Sequence, residues 1–293
     1  MEKNYRSEIT GVFGDPIEGN PTGVMEEAAY AQCGLNFRYI TFKVAKDDLA
    51  AAMRAVRAFH MRGVNLTMPH KIAVLPYLDE LSEAAMVIGA VNTVVVRDDG
   101  KLLGENTDGK GFVQALKNAG ASPSGKNVVI LGAGGAARAI AVECALAGAG
   151  KISIFNRTVS KAEELAKTIT ENSKSESAGY AWEPGLAIPR RTEILINATC
   201  VGLMPHQDKK PDINYETITA NMIVSDVVFN PSRTRFLEEA EKHGARTVNG
   251  LQDASGRTDR EETAIPTFER AFAADSVSGR PKSTSVTLRT PEF

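Results

Sequence analysis

The stretch NVVILGAGGAARAIAVECALAGAG, which begins at Asn127, constrains the fold more than any other part of the chain. It opens on an apolar run of strand length, turns through glycines, and continues as an Ala-rich run long enough for a helix. An unbroken apolar strand has no polar face to show to water, so it belongs inside a sheet covered on both sides. The glycines lie where such a strand must turn sharply into its helix.

The same alternation runs through the rest of the sequence. EITGVFG, FRYITFKV and GVNLT are predicted strands, and VMEEAAYAQCGL and DDLAAAMRAVRAFH are predicted helices, the second opening on Asp47 and Asp48 as the helix dipole favours. After Lys126, strands are expected at NVVIL, KISIFNRT, EILINAT, MIVSDVVF and ARTVNG, with helices at KAEELAKTI and RTRFLEEAEKHG. Residues 171–179, ENSKSESAG, are polar and read as an exposed loop. The pattern predicts an α/β protein with mostly parallel strands. A length of 293 residues suits about two domains of roughly 100–200 residues each. We expect an N-terminal α/β domain over residues 1–107 and a Rossmann-type domain with a parallel sheet over residues 108–251. Residues 252–293 contain no Tyr, Trp, Met or Cys and one leucine, Leu288, a composition that favours disorder.

Charge and cysteine usage exclude several classes. A formal net charge of −2 with no large basic block argues against nucleic acid or an anionic membrane as partner. Cys33, Cys144 and Cys200 are far apart and odd in number, which argues against a disulfide framework and for a reduced, cytoplasmic setting. His60, His70, His206 and His243 show no zinc spacing, so no metal is expected. The opening MEKNYRSEITGVFG has no apolar core of signal-peptide length, and no later run is long enough to cross a membrane.

Gly132, Gly134 and Ala137 form G-x-G-x-x-A between strand and helix, the context that gives this pattern its meaning. Gly132 permits the turn, Gly134 lets a phosphate approach the backbone, and the small third residue lets helix and strand pack closely. The loop Gly132, Ala133, Gly134, Gly135 and Ala136 then leads into a helix N-terminus whose N–H groups can meet a pyrophosphate. An NAD site of this kind usually ends the next strand in Asp or Glu. Here that strand ends in Asn156-Arg157-Thr158, with Lys161 one turn on. No acid repels a 2′-phosphate and two cations attract one, so NADP is expected. Thr158 is also a candidate helix cap.

Two further polar clusters, Asn92-Thr93 and Asn106-Thr107-Asp108, lie ahead of the dinucleotide domain. Hydride transfer at an alcohol needs one proton handled at the oxygen, and Lys71 and Asp108 are the candidates. Each residue taken alone also reads as a solvated surface charge. In NLTMPHK, Pro69 shapes the strand-to-helix corner and His70 reads as structural or capping.

The set GVNLTMPHK, IGAVNTVV, GENTDGKGF, LGAGGAARA, NRT with its lysine, INAT and DVVFNP resembles, in order, the shikimate/quinate dehydrogenase family. The resemblance implies an NADP-dependent, reversible oxidation of a ring hydroxyl of shikimate or a relative. It implies that Lys71 and Asp108 are the acid–base pair, that Thr67, Asn92 and Asp108 hold ring hydroxyls, and that Thr199 and Gly250 lie near the dinucleotide. It also leaves room for a homodimer.

Three departures bear on the substrate. Where the family has Ser-x-Ser for the substrate carboxylate, this chain has Asn20-Pro21-Thr22, whose amide and hydroxyl suit a carboxylate or an uncharged polyol. Phe229 stands where the family places a substrate-facing tyrosine. After NGLQ the family continues with Met-Leu and a substrate-touching glutamine, whereas this chain reads DASGRT. Asp-Ala-Ser can be encoded GAT-GCT-TCT, which read one base later gives ATG-CTT-CT, or Met-Leu-Leu, so a single-nucleotide frameshift is one explanation of the divergent tail. The alternatives are a quinate or cyclitol dehydrogenase of the same family, suggested by Asn20, Thr22 and Phe229, and a non-catalytic NADP sensor, suggested by the tail.

Overall fold

A computed structural model describes residues 7–18, 20, 22–228 and 230–249, together with the short strand Val286–Thr287. Two compact units meet in the chain between Thr107 and Asp108.

The first unit contains β1 (Glu8–Gly14), α1 (Thr22–Cys33), β2 (Phe37–Lys43), α2 (Leu49–Ala58), β3 (Gly63–Leu66), α3 (His70–Ala73), β4 (Glu80–Leu81), α4 (Glu83–Ile88), β5 (Thr93–Val96) and β6 (Leu102–Glu105). Its sheet runs Val286–Thr287, β4, β6, β5, β3, β1, β2. The β1–β2, β1–β3 and β4–β6 pairs are parallel, while β3–β5 and β5–β6 are antiparallel. This sheet is therefore mixed, a local exception in a chain whose described strand pairs are mostly parallel, as expected. The cause is local. Residues 97–101 join β5 to β6, and so short a link closes a hairpin but cannot carry a crossover.

The second unit contains α5 (Asp108–Asn118), β7 (Asn127–Leu131), α6 (Gly135–Leu146), β8 (Lys151–Asn156), α7 (Val159–Asn172), β9 (Glu176–Ala181), β10 (Leu186–Ala187), β11 (Ile194–Asn197), β12 (Ile213–Asn214), β13 (Ile223–Asp226), α8 (Arg235–Lys242) and β14 (Arg246–Val248). Six strands form a parallel sheet in the order β14, β13, β11, β7, β8, β9. This is the doubly wound Rossmann order, with β7 and β11 at the point where the winding reverses.

Burial explains the apolar runs. Val128 and Ile130 of β7 pack with Ile152, Ile154 and the helical residues Phe112, Leu116, Ile140 and Leu165. Val129 and Leu131 face the other way, toward Leu195, Val224, Phe236 and Leu237. Alternate residues thus enter different cores, and neither set can be polar. Each such side chain contributes about 1.5–3 kcal/mol through burial. α6 is rich in alanine because Ala137, Ala139, Ala141 and Ala145 are all buried, and small side chains let it lie close to its neighbours.

Residues 176–181 are strand β9, which corrects the reading of residues 171–179 as an exposed loop throughout. The strand pairs along its whole length with β8 but sits at the sheet edge and packs against α7. At Gly179 an added Cβ would run into the backbone of Ala162 and Glu163. That close approach demands small residues and removes the apolar alternation that marks a strand.

Among the described residues no helix is long and apolar enough to cross a membrane, and no group of His, Cys, Asp and Glu could hold a metal. The polar tail from residue 252, the proposed frameshift point, Phe229 and Gly250 lie outside the described residues, apart from Val286–Thr287.

Candidate active site

In the first unit, strand direction gathers the predicted residues. β1 and β3 run parallel, with Val12 opposite Asn65 and Phe13 opposite Leu66, so both end at one edge of the sheet. β5 is antiparallel to β3, with Thr93 opposite Asn65, so β5 begins at that edge. β6 reverses again, with Glu105 opposite Thr93, so it ends there. The segments that carry Asn20 and Thr22, Thr67 and Lys71, Asn92, and Asn106-Thr107 therefore all leave from one edge.

The corner NLTMPHK is built tightly. The Thr67 amide donates to the Phe13 carbonyl (3.0 Å), and the His70 amide donates to the Thr67 carbonyl (2.8 Å). His70 is fully buried, and its Nε2–H donates to the Val44 carbonyl at 2.8 Å. Its role is structural, as its place beside the proline suggested. Lys71 is half-buried on the first turn of α3, and its carbonyl accepts from the Val91 amide (2.8 Å), next to Asn92.

Asn20 and Thr22 also meet. The Thr22 amide donates to Asn20 Oδ1 at 2.9 Å. Because an amide N–H can only donate, the oxygen of Asn20 must face Thr22, and its Nδ2 donors face the other way.

Asn92, Thr93, Asn106 and Thr107 are all buried. Asn92 Oδ1 accepts from the Thr107 amide (2.9 Å) and from the Thr93 hydroxyl (3.1 Å), while Nδ2 donates to Thr107 Oγ1 (3.0 Å). Thus Asn92 braces the turn that ends at Thr107, and Asp108 follows as the first residue of α5. The Asn106 amide group donates to the Ala90 carbonyl (3.1 Å). Asn65, in the quoted heptapeptide but unassigned from sequence, extends this network. It accepts from the Tyr39 hydroxyl (2.7 Å) and donates to Thr93 Oγ1 (3.1 Å). The available signal was a polar residue in a buried strand.

In the six-stranded sheet of the second unit every strand runs the same way, so the turns after β7, β8, β11 and β13 share one edge. Gly132 has φ +111°, and an added Cβ would lie 2.9 Å from Thr199 Cγ2 and 3.0 Å from the Ala198 carbonyl oxygen. Both the backbone and the space require glycine there. Gly134 differs. It has φ −81°, and neither it nor Gly135 has a heavy atom within 4 Å of an added Cβ. Nothing inside the protein demands glycine at these two positions. A bulky anion seated on the backbone would, and Gly134, Gly135 and Ala136 are exposed to receive one. The N-cap of α6 is Gly134, which has no side chain to satisfy the first-turn N–H groups, so they remain free for a phosphate. The residues present therefore fit a dinucleotide.

At the end of β8, Asn156 Nδ2 donates to the Thr158 carbonyl at 2.9 Å and closes the turn. Thr158 is the N-cap residue of α7, but its hydroxyl makes no capping hydrogen bond, so it is left for another partner. Arg157 and Lys161 are exposed and form no ion pair with any described carboxylate. Thr199 is fixed by its own hydrogen bonds: its hydroxyl donates to Asn197 Oδ1 (2.7 Å) and accepts from the Val201 amide (3.1 Å). A separate cavity of about 680 Å³, lined by Lys151, Ser153, Tyr180, Arg190 and Arg191 among others, contains none of these residues.

A buried polar group that no sequence motif marks lies behind Thr199. Asp226 ends β13 and has no exposure. Its Oδ1 accepts from Asn197 Nδ2 (2.9 Å) and the Val228 amide (3.0 Å), and its Oδ2 accepts from the Thr234 hydroxyl (2.6 Å). Burial pushes its pKa up to about 6, opposed by those hydrogen bonds. An aspartate inside IVSDVV was the available signal, since a charge in a buried strand rarely lacks a task.

Comparison with known proteins follows the same division. The family described as "Shikimate dehydrogenase substrate binding domain" matches residues 12–94, and the one described as "Shikimate / quinate 5-dehydrogenase" matches residues 114–199. A shikimate dehydrogenase (NADP(+)) of Desulforamulus reducens is 43% identical over 251 residues, 85% of this chain and 86% of that protein. The ligand-free crystal structure of 5-ketofructose reductase from Gluconobacter sp. strain CHM43 superposes with a TM-score of 0.82 at 44% identity, covering 92% of this chain and 100% of that one. Shikimate 5-dehydrogenase of Listeria monocytogenes, solved with shikimate and NAD, gives a TM-score of 0.80 at 35% identity, covering 91% and 96% of the two chains.

Proposed function

The chain belongs to the shikimate dehydrogenase family, and from that premise we propose that it is an NADP-dependent oxidoreductase that interconverts 3-dehydroshikimate and shikimate. Residues 1–107 are the proposed substrate domain and residues 108–251 the proposed NADP domain. The observation that carries the reading is the convergence of Thr67, Lys71, Asn92 and the Asn20–Thr22 segment at one edge of the first sheet.

Bound NADPH supplies the hydride, and its oxidised form takes one back. Gly132, Ala133, Gly134, Gly135 and Ala136 would hold its pyrophosphate, and Asn156, Arg157, Thr158 and Lys161 its 2′-phosphate end, with Thr199 and Gly250 nearby. Lys71 Nζ gives a proton to the substrate oxygen as the carbonyl becomes an alcohol, and takes it back in reverse. Asp108, which follows the braced Thr107, is the proposed second member of the acid–base pair and accepts from a ring hydroxyl. Thr67 and Asn92 hold the remaining hydroxyls. Asn20 turns its Nδ2 donors outward because its oxygen is engaged by Thr22. Two N–H donors with the Thr22 hydroxyl suit a carboxylate, the group that distinguishes shikimate from neutral polyols.

A second reading rests on the relative named 5-ketofructose reductase. An uncharged polyhydroxy ketone also fits donors that are not serine hydroxyls. A panel of shikimate and quinate with NADP⁺, and 5-ketofructose with NADPH, decides between them. Turnover of shikimate at least tenfold more efficient supports the first reading, and preference for the ketose overturns it.

Cofactor choice has its own test. Arg157→Ala removes a charge-assisted contact of about 1.5–3 kcal/mol. We expect KM for NADP⁺ to rise roughly 10–100-fold with KM for NAD⁺ unchanged. Equal loss with both cofactors would instead place Arg157 against the shared adenosine. A cytoplasmic setting and a homodimer are part of the same proposal. Light scattering of the purified chain checks the latter, and a monomer-sized particle would remove it.

A further inference from the structure

We propose that Asp226 is a positioning residue for the dinucleotide site, acting through Asn197 on the Thr199 turn that abuts Gly132; this rests on the reading of Thr199 as a neighbour of the cofactor. The chain of contacts is continuous and lies wholly in the second unit. Asn197 has an amide with two unlike ends, and Asp226 is the closer of the two acceptors that hold its Nδ2 end, the Val201 carbonyl (3.3 Å) being the other. A carboxylate only accepts, so it takes the Nδ2 end (2.9 Å). The Oδ1 end is thereby turned to Thr199, where it accepts from both the hydroxyl (2.7 Å) and the amide (3.2 Å). A flipped Asn197 would set its oxygen against the carboxylate and its NH₂ against two donors. With its hydroxyl proton committed to Asn197, Thr199 turns its methyl toward Gly132, 2.9 Å from where a Cβ would stand. The other carboxylate oxygen binds the Thr234 hydroxyl (2.6 Å), the N-cap of α8, whose Oγ1 also accepts from the Leu237 amide (3.4 Å). One buried charge therefore holds a turn of the site against the end of a helix.

The network predicts a pH effect of defined sign. Protonation of Asp226 weakens the stronger of the two holds on Asn197 Nδ2 and loosens the Thr199 turn, so cofactor binding weakens as pH falls through about 6. The groups bonded to Asp226 are Asn197 from β11, the Val228 amide and Thr234 ahead of α8, and Tyr215 lies within range of its charge. Tyr215 senses the Asp226 charge, but burial first, then Glu239, Asp226 and Asp212, pushes its phenol above the usual range, so it stays neutral here.

The test compares KM for NADP⁺, kcat and thermal midpoint for Asp226→Asn, Asn197→Asp, the swapped double variant and Thr199→Val. Asp226→Asn and Asn197→Asp should each raise KM roughly tenfold, the scale of one hydrogen bond to a charged group, with kcat changed less than about threefold. The swap restores a carboxylate facing Thr199 but sets an NH₂ against the Val228 amide and an oxygen against the Val201 carbonyl, so it should not recover the loss. The ratio of KM in Asp226→Asn to KM in wild type should fall toward unity below about pH 6; the 2′-phosphate titrates in both and cancels. Folded single variants with KM within twofold of wild type, while Thr199→Val raises it, overturn the network. If Thr199→Val also leaves KM unchanged, Thr199 is no cofactor neighbour and the proposal fails with that reading.

Discussion

Replacing Lys71 by alanine is expected to lower kcat by roughly 10²–10⁴-fold, the contribution of a general acid–base group, while the dissociation constant for NADP⁺ stays the same. The side chain leaves from the first turn of α3, just beyond the edge where Thr67 and Asn92 gather, whereas the glycine loop belongs to the other unit. The truncation should not unfold the corner, because His70, Thr67 and the Lys71 carbonyl hold it through hydrogen bonds that the variant keeps. Lys71→Arg should not restore activity. A guanidinium stays protonated across the working range and cannot cycle a proton. Stopped-flow hydride transfer with a parallel fluorescence titration of NADPH separates the two quantities. Retention of kcat within tenfold would remove Lys71 from proton transfer and favour a protein that binds the cofactor for another purpose.

The second large effect is a contrast between two glycines of one loop. Gly132→Ala combines a left-handed backbone with a clash against Thr199 and the Ala198 carbonyl. Strain and overpacking together should cost about 2–4 kcal/mol and lower the melting temperature by roughly 4–15 °C. Gly134→Val meets open space and an ordinary φ, so its melting temperature without cofactor should match wild type. Its cofactor affinity should collapse, because a branched side chain would stand where a phosphate must approach the backbone. Differential scanning fluorimetry with and without NADP⁺ measures both. A Gly134→Val protein that NADP⁺ still stabilises like wild type would contradict the assignment of this loop.

Those two glycines also show what a sequence can reveal. The spacing G-x-G-x-x-A marked both, and the flanking apolar run marked the strand, because a strand buried on two faces has no freedom to be polar. β9 stayed hidden for the opposite reason. It lies at an edge against α7, where Gly179 and its small neighbours serve close packing and leave no apolar rhythm to read. The antiparallel setting of β5 was equally silent, yet it alone brings Asn92 to the edge where β3 ends. Lys71, Thr67 and Asp108 could be nominated from local motifs. Asn65, Asn197 and Asp226 could not be given tasks that way, since their meaning is in partners 26, 29 and 29 residues distant. A hydrogen bond between strands leaves no mark on either strand alone beyond a polar letter in an apolar word.

The division of the chain between Thr107 and Asp108 has a consequence for anyone recombining relatives of this protein. The proposed acid–base pair is inherited in two pieces, Lys71 with one unit and Asp108 with the other. A chimera cut at that junction would take each partner from a different parent, along with the Asn92 brace from the first and the whole of α5 from the second. Breeding such hybrids would test whether the two halves of a proton-transfer pair are interchangeable parts or have been tuned to one another by descent.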